Sequence, residues 1–284
     1  MEFLIEIHPT LTYMNTFKKI MKNIRTRLAS IPFLKKAYFA ITPYNLPKHL
    51  SLGNQQIYKR LSAFILDFES YCVVDVGASD GWFSKIIFHF KPDAQIIAFE
   101  PLSTHTKALE YMRQRYPKKF EYHLKALGEK EGSSEITEFG TTGLSSLKKL
   151  IDGRYDRGGF SAKIVKKETI KITTLDRFFE QSKNKKRLVV KIDTQGFEME
   201  VLKGAAKLFS ENRIDCVIIE LATIPKYEGQ AISTDFLHFF EGHNFILFDL
   251  YPFFYEEKGP LTEFDAVFVN RRSRLYEHLY GEKK

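Results

Sequence analysis

From Cys72 onward, short apolar runs alternate with stretches whose apolar positions recur at helical spacing. Cys72–Val76 reads as a strand. The next segment, about Gly81 to Phe90, carries Phe83, Ile86, Ile87 and Phe90 on one face and reads as a helix. A second strand, Gln95–Phe99, ends at Glu100. A helix from about Ser103 to Arg115 follows, and a third strand lies near Phe120 to Leu127. Residues 130–162 are rich in Gly, Ser and Thr and read as a loop or hairpin region, with Ile164, Ile170 and Ile172 in strands of an inserted ribbon. Leu175–Gln181 is a short helix and Leu188–Asp193 a fourth parallel strand. Gly196 opens a helix carrying Val201, Leu202 and Leu208, and Ile214–Leu221 is a fifth strand. A helix around Thr234 to Phe240 leads to strands at Phe245–Phe248 and Ala266–Val269. Such alternation predicts an α/β fold, a parallel sheet covered by helices on both faces, with a ligand beyond the C-terminal strand ends. No internal repeat is visible.

Ahead of this body lies a different segment. Residues 7–66 hold ten Lys or Arg and no acid. With Glu2 and Glu6, the first 66 residues carry a net +8, which is the whole chain's net charge. The basic character therefore belongs to an extension, taken as residues 1–69, and not to the body, 70–284; residues 67–284 together carry no net charge. Phe17, Ile20, Met21, Ile24, Leu28 and Ile31 lie on one helical face, with Lys18, Lys19, Lys22, Arg25 and Arg27 mostly around the other, and Pro32 as a stop. Such a helix either docks its apolar face on the body, meets a protein partner, or lies on an anionic membrane surface. Pro43, Pro47 and Gly53 mark a connection to a further helix near Gln55–Phe68.

A chain of 284 residues, 44% hydrophobic and 27% charged, is globular in composition and large enough for a sizeable core. Cys72 and Cys216 each open an apolar strand and read as buried thiols. There is no disulfide framework and no Cys/His cluster for zinc. Neither a membrane-length apolar run nor a signal peptide is evident, so the expected setting is cytoplasmic, with the inner face of a membrane as the place the basic helix would reach.

The chemistry concentrates in Val73-Val-Asp-Val-Gly-Ala-Ser-Asp-Gly-Trp82: a strand, a glycine-rich turn and a helix start. Glu100 follows nineteen residues after Gly81, where an acid can accept hydrogen bonds from two ribose hydroxyls. The turn is not the G-x-G-x-x-G of dinucleotide sites, and Asp75 and Asp80 would repel a pyrophosphate. They suit a ribose ligand that carries positive charge and no phosphate, as S-adenosylmethionine does. The alternative is that both aspartates only cap the turn and helix.

With these residues in place, the chain resembles the FkbM family of S-adenosylmethionine-dependent methyltransferases over roughly Val73 to Asn270. The resemblance is carried by Asp75–Trp82, Ala98-Phe-Glu-Pro101, Ala126-Leu-Gly128, Thr174-Leu-Asp176, Lys191-Ile-Asp-Thr-Gln-Gly-Phe-Glu198 with Val201-Leu-Lys-Gly204, and Ile218-Ile-Glu220. Position 195 is Gln where many members have Glu, and both occur in the family. The resemblance implies a Rossmann-like, seven-stranded methyltransferase sheet with its last strand antiparallel, and O-methylation of a hydroxyl, often on a sugar or natural product. It places Gly77 and Gly81 against the methionine part of the cofactor, Asp75 near the sulfonium side, Glu100 on the ribose, and Ala126 and Leu127 near adenine. Ala78, Trp82 and Pro101 belong with the same cofactor-binding set.

Asp193 ends the strand beside the first and should face the methyl acceptor, as general base or as orienting group. Its alternative is to cap the helix after Gly196. Glu220 is a second candidate on the acceptor side, and Glu198 reads as a first-turn helix acid. Lys191, inside an apolar strand, should pair with one of these acids. Strand-end carboxylates suit hard cations, but no ligand spacing is diagnostic and no metal is expected. His105, His123, His238 and His243 read as surface or core residues. The acceptor pocket is expected from Thr141–Ser146, Pro225–Gly229 and the aromatic run Tyr251–Glu256, and aromatic faces with acids suit a saccharide. An NAD-dependent oxidoreductase lacks its pyrophosphate turn here. A small natural product as acceptor, or a non-catalytic cofactor-binding scaffold, stays open. Nucleic acid is not an expected partner: there is no Asp/Asn-Pro-Pro-aromatic segment, and the body has no net positive charge.

Overall fold

The computed structural model describes residues 71–140, 142–151, 163–255 and 259–281. The basic extension, its helices and the boundary at residue 69 lie outside the described residues. Ten strands and seven α-helices occur among those described. Seven strands form one sheet in the order β3-β2-β1-β7-β8-β10-β9. They are β1 (Tyr71–Val76), β2 (Ile96–Phe99), β3 (Phe120–His123), β7 (Arg187–Ile192), β8 (Ile214–Ala222), β9 (Phe245–Tyr255) and β10 (Leu261–Asn270). All neighbours are parallel except β10, which runs antiparallel to both β8 and β9.

The apolar runs are continuous because the central strands are covered on both faces. All six residues of β1 are buried, and so are eight of the nine in β8. Helix α1 (Trp82–Phe90) buries Phe83, Ile86 and Ile87, and α2 (Thr106–Arg115) buries Leu109 and Met112. α3 (Leu175–Gln181) buries Leu175 and Phe179 and is capped by Thr174, whose hydroxyl accepts from the Arg177 N–H. α4 (Glu198–Lys203) and α5 (Ala206–Ser210) replace the single helix expected after Gly196. The break falls at Gly204, where a Cβ would meet the Gly128 carbonyl oxygen at 2.0 Å.

Four further expectations change. The third strand ends at His123, and Ala126–Leu127 (β4) leaves the main sheet to pair with β6 (Ile164–Thr173). Of the two readings of residues 130–162, loop or hairpin region, the second is nearer: the stretch contains an eight-residue strand, β5 (Gly132–Phe139), antiparallel to β6. The aromatic run expected at the acceptor pocket falls, over Tyr251–Tyr255, in the second half of β9, at the edge of the sheet, so the strand starting at Phe245 runs past Phe248. Helices α6 (Ser233–Gly242) and α7 (Arg274–Tyr280) flank the last strand pair, and α7 had no counterpart in the sequence reading. No helix among the described residues is long and apolar enough to cross a membrane.

This topology fixes where a ligand can sit. The chain leaves β1 toward β2 and β3, then returns as β7 on the other side of β1. The crevice outside the carboxyl ends of β1 and β7 is the topological switch point. There the Asp193 N–H donates to the Val76 carbonyl at 3.1 Å. The small β4-β6-β5 sheet stands over the crevice, its own core made of Leu102, Ala126, Ile136 and Ile170.

Candidate active site

A cavity of about 230 Å³ opens at this switch point. Five of the nine predicted cofactor residues line it: Gly77, Glu100, Pro101, Ala126 and Leu127. Asp75, Ala78, Gly81 and Trp82 are absent from its wall. Asp193 lines it too, and Glu220 stands behind Asp193 without reaching the cavity.

Gly77 adopts φ 73°, and a Cβ there would lie 1.8 Å from the Asp193 carbonyl oxygen. The glycine is thus required by the crossing of two strand ends, whatever the ligand does. Gly81 precedes α1 at φ 77°, a left-handed position that favours glycine. Asp75 has no exposed surface. It accepts from the Ser84 hydroxyl at 2.6 Å and lies 3.8 Å from Lys191 Nζ. Burial pushes its carboxyl above the ordinary range, against the pull of Lys191 and Ser84. Of the two readings of Asp75, this geometry supports the one that anchors α1. Asp80 is exposed and pairs with Lys85.

Glu100 is nearly buried, and each carboxylate oxygen takes one backbone N–H: Ser79 at 2.8 Å and Leu102 at 2.9 Å. A carboxylate oxygen has two lone pairs, so acceptor capacity remains toward the cavity. Ser79 sits at φ 50°, a strained position for a residue with a side chain, and the bond to Glu100 holds it there. Burial raises the Glu100 carboxyl, with the two backbone N–H groups opposing.

Asp193 does not cap the following helix. Nor does any other side chain; Glu198 Oε1 instead holds the turn ahead of the helix, accepting from the N–H groups of Thr194 (2.9 Å) and Gly196 (3.0 Å). The Asp193 oxygens go elsewhere, Oδ2 to Lys191 Nζ at 3.3 Å and Oδ1 to Gln195 Nε2 at 2.9 Å. Its side chain keeps 35% of its surface open. Burial works to raise the Asp193 carboxyl. The charge of Lys191, with hydrogen bonds from Gln195, Lys191 and Glu220, more than reverses this and holds it below its ordinary value. Burial and the Asp193 charge together push Glu220 well above the usual range. The two neighbouring acids are thus pushed in opposite directions, the kind of separation that distinguishes paired roles in a site. The charges of Asp193 and Asp75 outweigh burial and keep Lys191 protonated.

Sequence reasoning missed several wall residues. His105 lines the cavity, its Nε2 3.5 Å from the Ser79 hydroxyl. Gln195 lines it beside Asp193. Gly143 and Ser145, from the loop expected to shape the acceptor side, reach the wall, whereas Tyr227 contributes from behind with its hydroxyl on the Leu144 carbonyl at 3.0 Å. The Tyr251–Tyr255 residues do not line the cavity.

A mostly parallel seven-stranded sheet with one reversed strand, and a cavity at its switch point edged by a strand-end acid, define a Rossmann-like cofactor-binding domain. The family model described as the methyltransferase FkbM domain matches residues 75–247. The chain belongs to the FkbM methyltransferase family. No curated protein matches it in sequence. Among solved structures it is similar to magnesium protoporphyrin IX methyltransferase from Synechocystis PCC 6803 with bound SAM, at 11% identity over 84% of this chain and 96% of that one, TM-score 0.43. It is also similar to TrmK of M. capricolum in complex with S-adenosyl-homocysteine, at 10% identity over 82% and 76%, TM-score 0.41. An rRNA methylase from Streptococcus thermophilus matches at 10% identity over 78% and 98%, TM-score 0.43.

The residues present fit S-adenosylmethionine. Spare acceptors on Glu100 suit ribose hydroxyls, the apolar wall of Leu102, Ala126, Leu127 and Ile136 suits a flat ring, and no glycine-rich phosphate cradle competes.

Proposed function

We propose that the protein is an S-adenosylmethionine-dependent O-methyltransferase whose acceptor is an uncharged hydroxyl compound, a saccharide by preference. The observation that carries this reading is Asp193, ionised and pinned by Lys191 and Gln195 at the cavity edge. An ionised carboxylate accepts a hydrogen bond from a hydroxyl, aligns its oxygen, and can receive its proton as the new C–O bond forms. When bound, S-adenosylmethionine supplies an electrophilic methyl group. Glu100 accepts from the ribose, Ala126 and Leu127 flank the adenine, and the β4-β6-β5 sheet keeps water from the crevice. Asp193 is a weak base, because Lys191 holds its carboxyl low. Its main contribution is therefore alignment, the effect that can supply roughly 7–11 kcal/mol in group transfer. The ionised Asp193 at the cavity edge disfavours an anionic acceptor there. A nucleic-acid acceptor is disfavoured by the zero net charge of residues 67–284.

The basic extension is the part proposed to bring the domain to an anionic surface on the cytoplasmic side of a membrane, where lipid-linked sugars would be at hand.

Transfer of a radiolabelled methyl group to a panel of neutral glycans and glycolipids tests the reading. Asp193→Asn should lower turnover by about 10²–10⁴-fold while cofactor affinity stays near that of the wild type. Wild-type turnover in that variant would remove Asp193 from the chemistry.

A further inference from the structure

Gln195 is drawn into the site more thoroughly than a turn residue needs to be. It sits at φ 54° and is followed by Gly196 at φ 94°, so the chain makes two successive left-handed steps just after β7. Asn and Asp adopt such angles readily, and Gln does so rarely. A Cβ on Gly196 would lie 2.7 Å from the Tyr227 ring, so the turn is pressed against that buried tyrosine. Every polar atom at the end of the Gln195 side chain is used. Nε2 donates to Asp193 Oδ1 at 2.9 Å and lies 3.5 Å from both Glu220 oxygens. Oε1 accepts from the Tyr227 hydroxyl at 3.4 Å. The ionised Asp193 fixes this amide direction, since the reverse would set an oxygen against its carboxylate. The Gln195 carbonyl also accepts from the buried Ser146 hydroxyl at 2.6 Å.

We propose that Gln195 is a positioning residue: its amide aims the Asp193 carboxylate into the cavity and ties it to the Leu144–Ser146 loop and Tyr227 on the acceptor side. The proposal rests on the reading of Asp193 as the group that meets the acceptor. Two connections run through this one residue. One goes from Asp193 through the amide and the Tyr227 hydroxyl to the Leu144 carbonyl, the other from the Gln195 carbonyl to Ser146. Because Gly143 and Ser145 of that loop line the cavity, an acceptor that presses on the loop presses on the aim of Asp193. In this chain the neutral amide supplies a donor between two acids. Glutamate, of the same length, would put a third carboxyl beside Asp193 and Glu220 and replace a donor with an acceptor.

The charged and titratable groups around Asp193 are Lys191 on β7, Asp75 on β1, Glu220 on β8, Asp265 on β10, Glu198 on α4, and Lys226 and Tyr227 after β8. The test reads the Asp193 carboxyl directly, by ¹³C NMR titration of the full chain labelled at aspartate carboxyls, with Asp193→Asn assigning the resonance. Gln195→Glu should shift the Asp193 midpoint upward. Gln195→Asn keeps an amide and tolerates the left-handed turn, but it is one methylene too short to reach Asp193. It should shift the midpoint upward by less and keep the wild-type melting temperature. Midpoints unmoved in both variants would overturn the proposal. The titration needs no acceptor, so its outcome is separate from that of the transfer assay. Unmoved midpoints with an inactive Asp193→Asn would remove Gln195 alone, and shifted midpoints with a fully active Asp193→Asn would remove the role of Asp193.

Discussion

Gly77 illustrates how tightly this site is built at the scale of one residue. Its missing side chain lets the end of β1 lie against the Asp193 carbonyl, and its φ of 73° excludes most replacements. Gly77→Ala combines backbone strain with a main-chain collision and should cost about 3 kcal/mol or more, read as a lowered melting temperature. Unchanged melting would mean that the two strand ends are not packed as described. Asp265 gives a pH prediction. Burial, with the Asp193 charge, raises its carboxyl to about 7. A carboxyl raised on folding favours the folded state while it is protonated. Its contribution is complete below the unfolded value near 4 and is lost as pH rises through about 7. Asp265→Asn should therefore flatten the decline of thermal stability across that window; an unaltered slope would argue against the shift. At this scale the sequence was partly legible. Glu100 and Asp193 stand at strand ends, where an acid has few structural uses. Asp75 looks equally exposed on paper, and only the packing of Ser84 and Lys191 turns it inward. His105 carries no signal, and Gln195 shows only as a motif position, because their contacts are with neighbours distant in the chain.

At the scale of elements, the cover over the cavity is its most adjustable part. Glu168 on β6 accepts from both the N–H and the hydroxyl of Ser103, at 2.9 and 2.8 Å, which ties the Ser103–His105 turn to the small sheet. Glu168→Ala should cost about 1 kcal/mol or less in global stability, since the pair faces solvent. Hydrogen exchange should quicken at Ser103–His105 and cofactor affinity should fall modestly. Exchange as slow as in the wild type would show that other contacts hold the turn. The long apolar strands of the main sheet were readable because both faces are buried. The bounds of β5 are hard to read within the loop or hairpin region because Gly132-Ser-Ser-Glu is polar on both faces, and only the Ile136 half meets the core. β9 was cut short at Phe248 because Asp249 and Pro252 interrupt the run; the strand tolerates both at a sheet edge, where one side has no partner strand.

For the molecule as a whole, charge and cavity are separated along the chain. All the net charge lies in the first 66 residues, and the cavity-lining residues among those described come later in the chain. If the extension serves a surface, the full chain should co-sediment with anionic liposomes at low salt, less at high salt, and a chain beginning near Ser62 should not. Absence of binding by both would reject that role. The mostly parallel sheet, the placing of the Asp193 strand beside the first and the crevice at the strand ends are legible from the alternation of strands and helices together with the family motifs, whereas the loops beside the cavity have shapes that no periodicity encodes. The most direct test of the central claim is calorimetric titration of S-adenosylmethionine and NAD into the wild type and Glu100→Ala. The account predicts one-site binding of S-adenosylmethionine, weakened about tenfold or more by loss of the Glu100 carboxylate, and none of NAD. Equal affinity of both proteins for S-adenosylmethionine, or binding of NAD in its place, would contradict it.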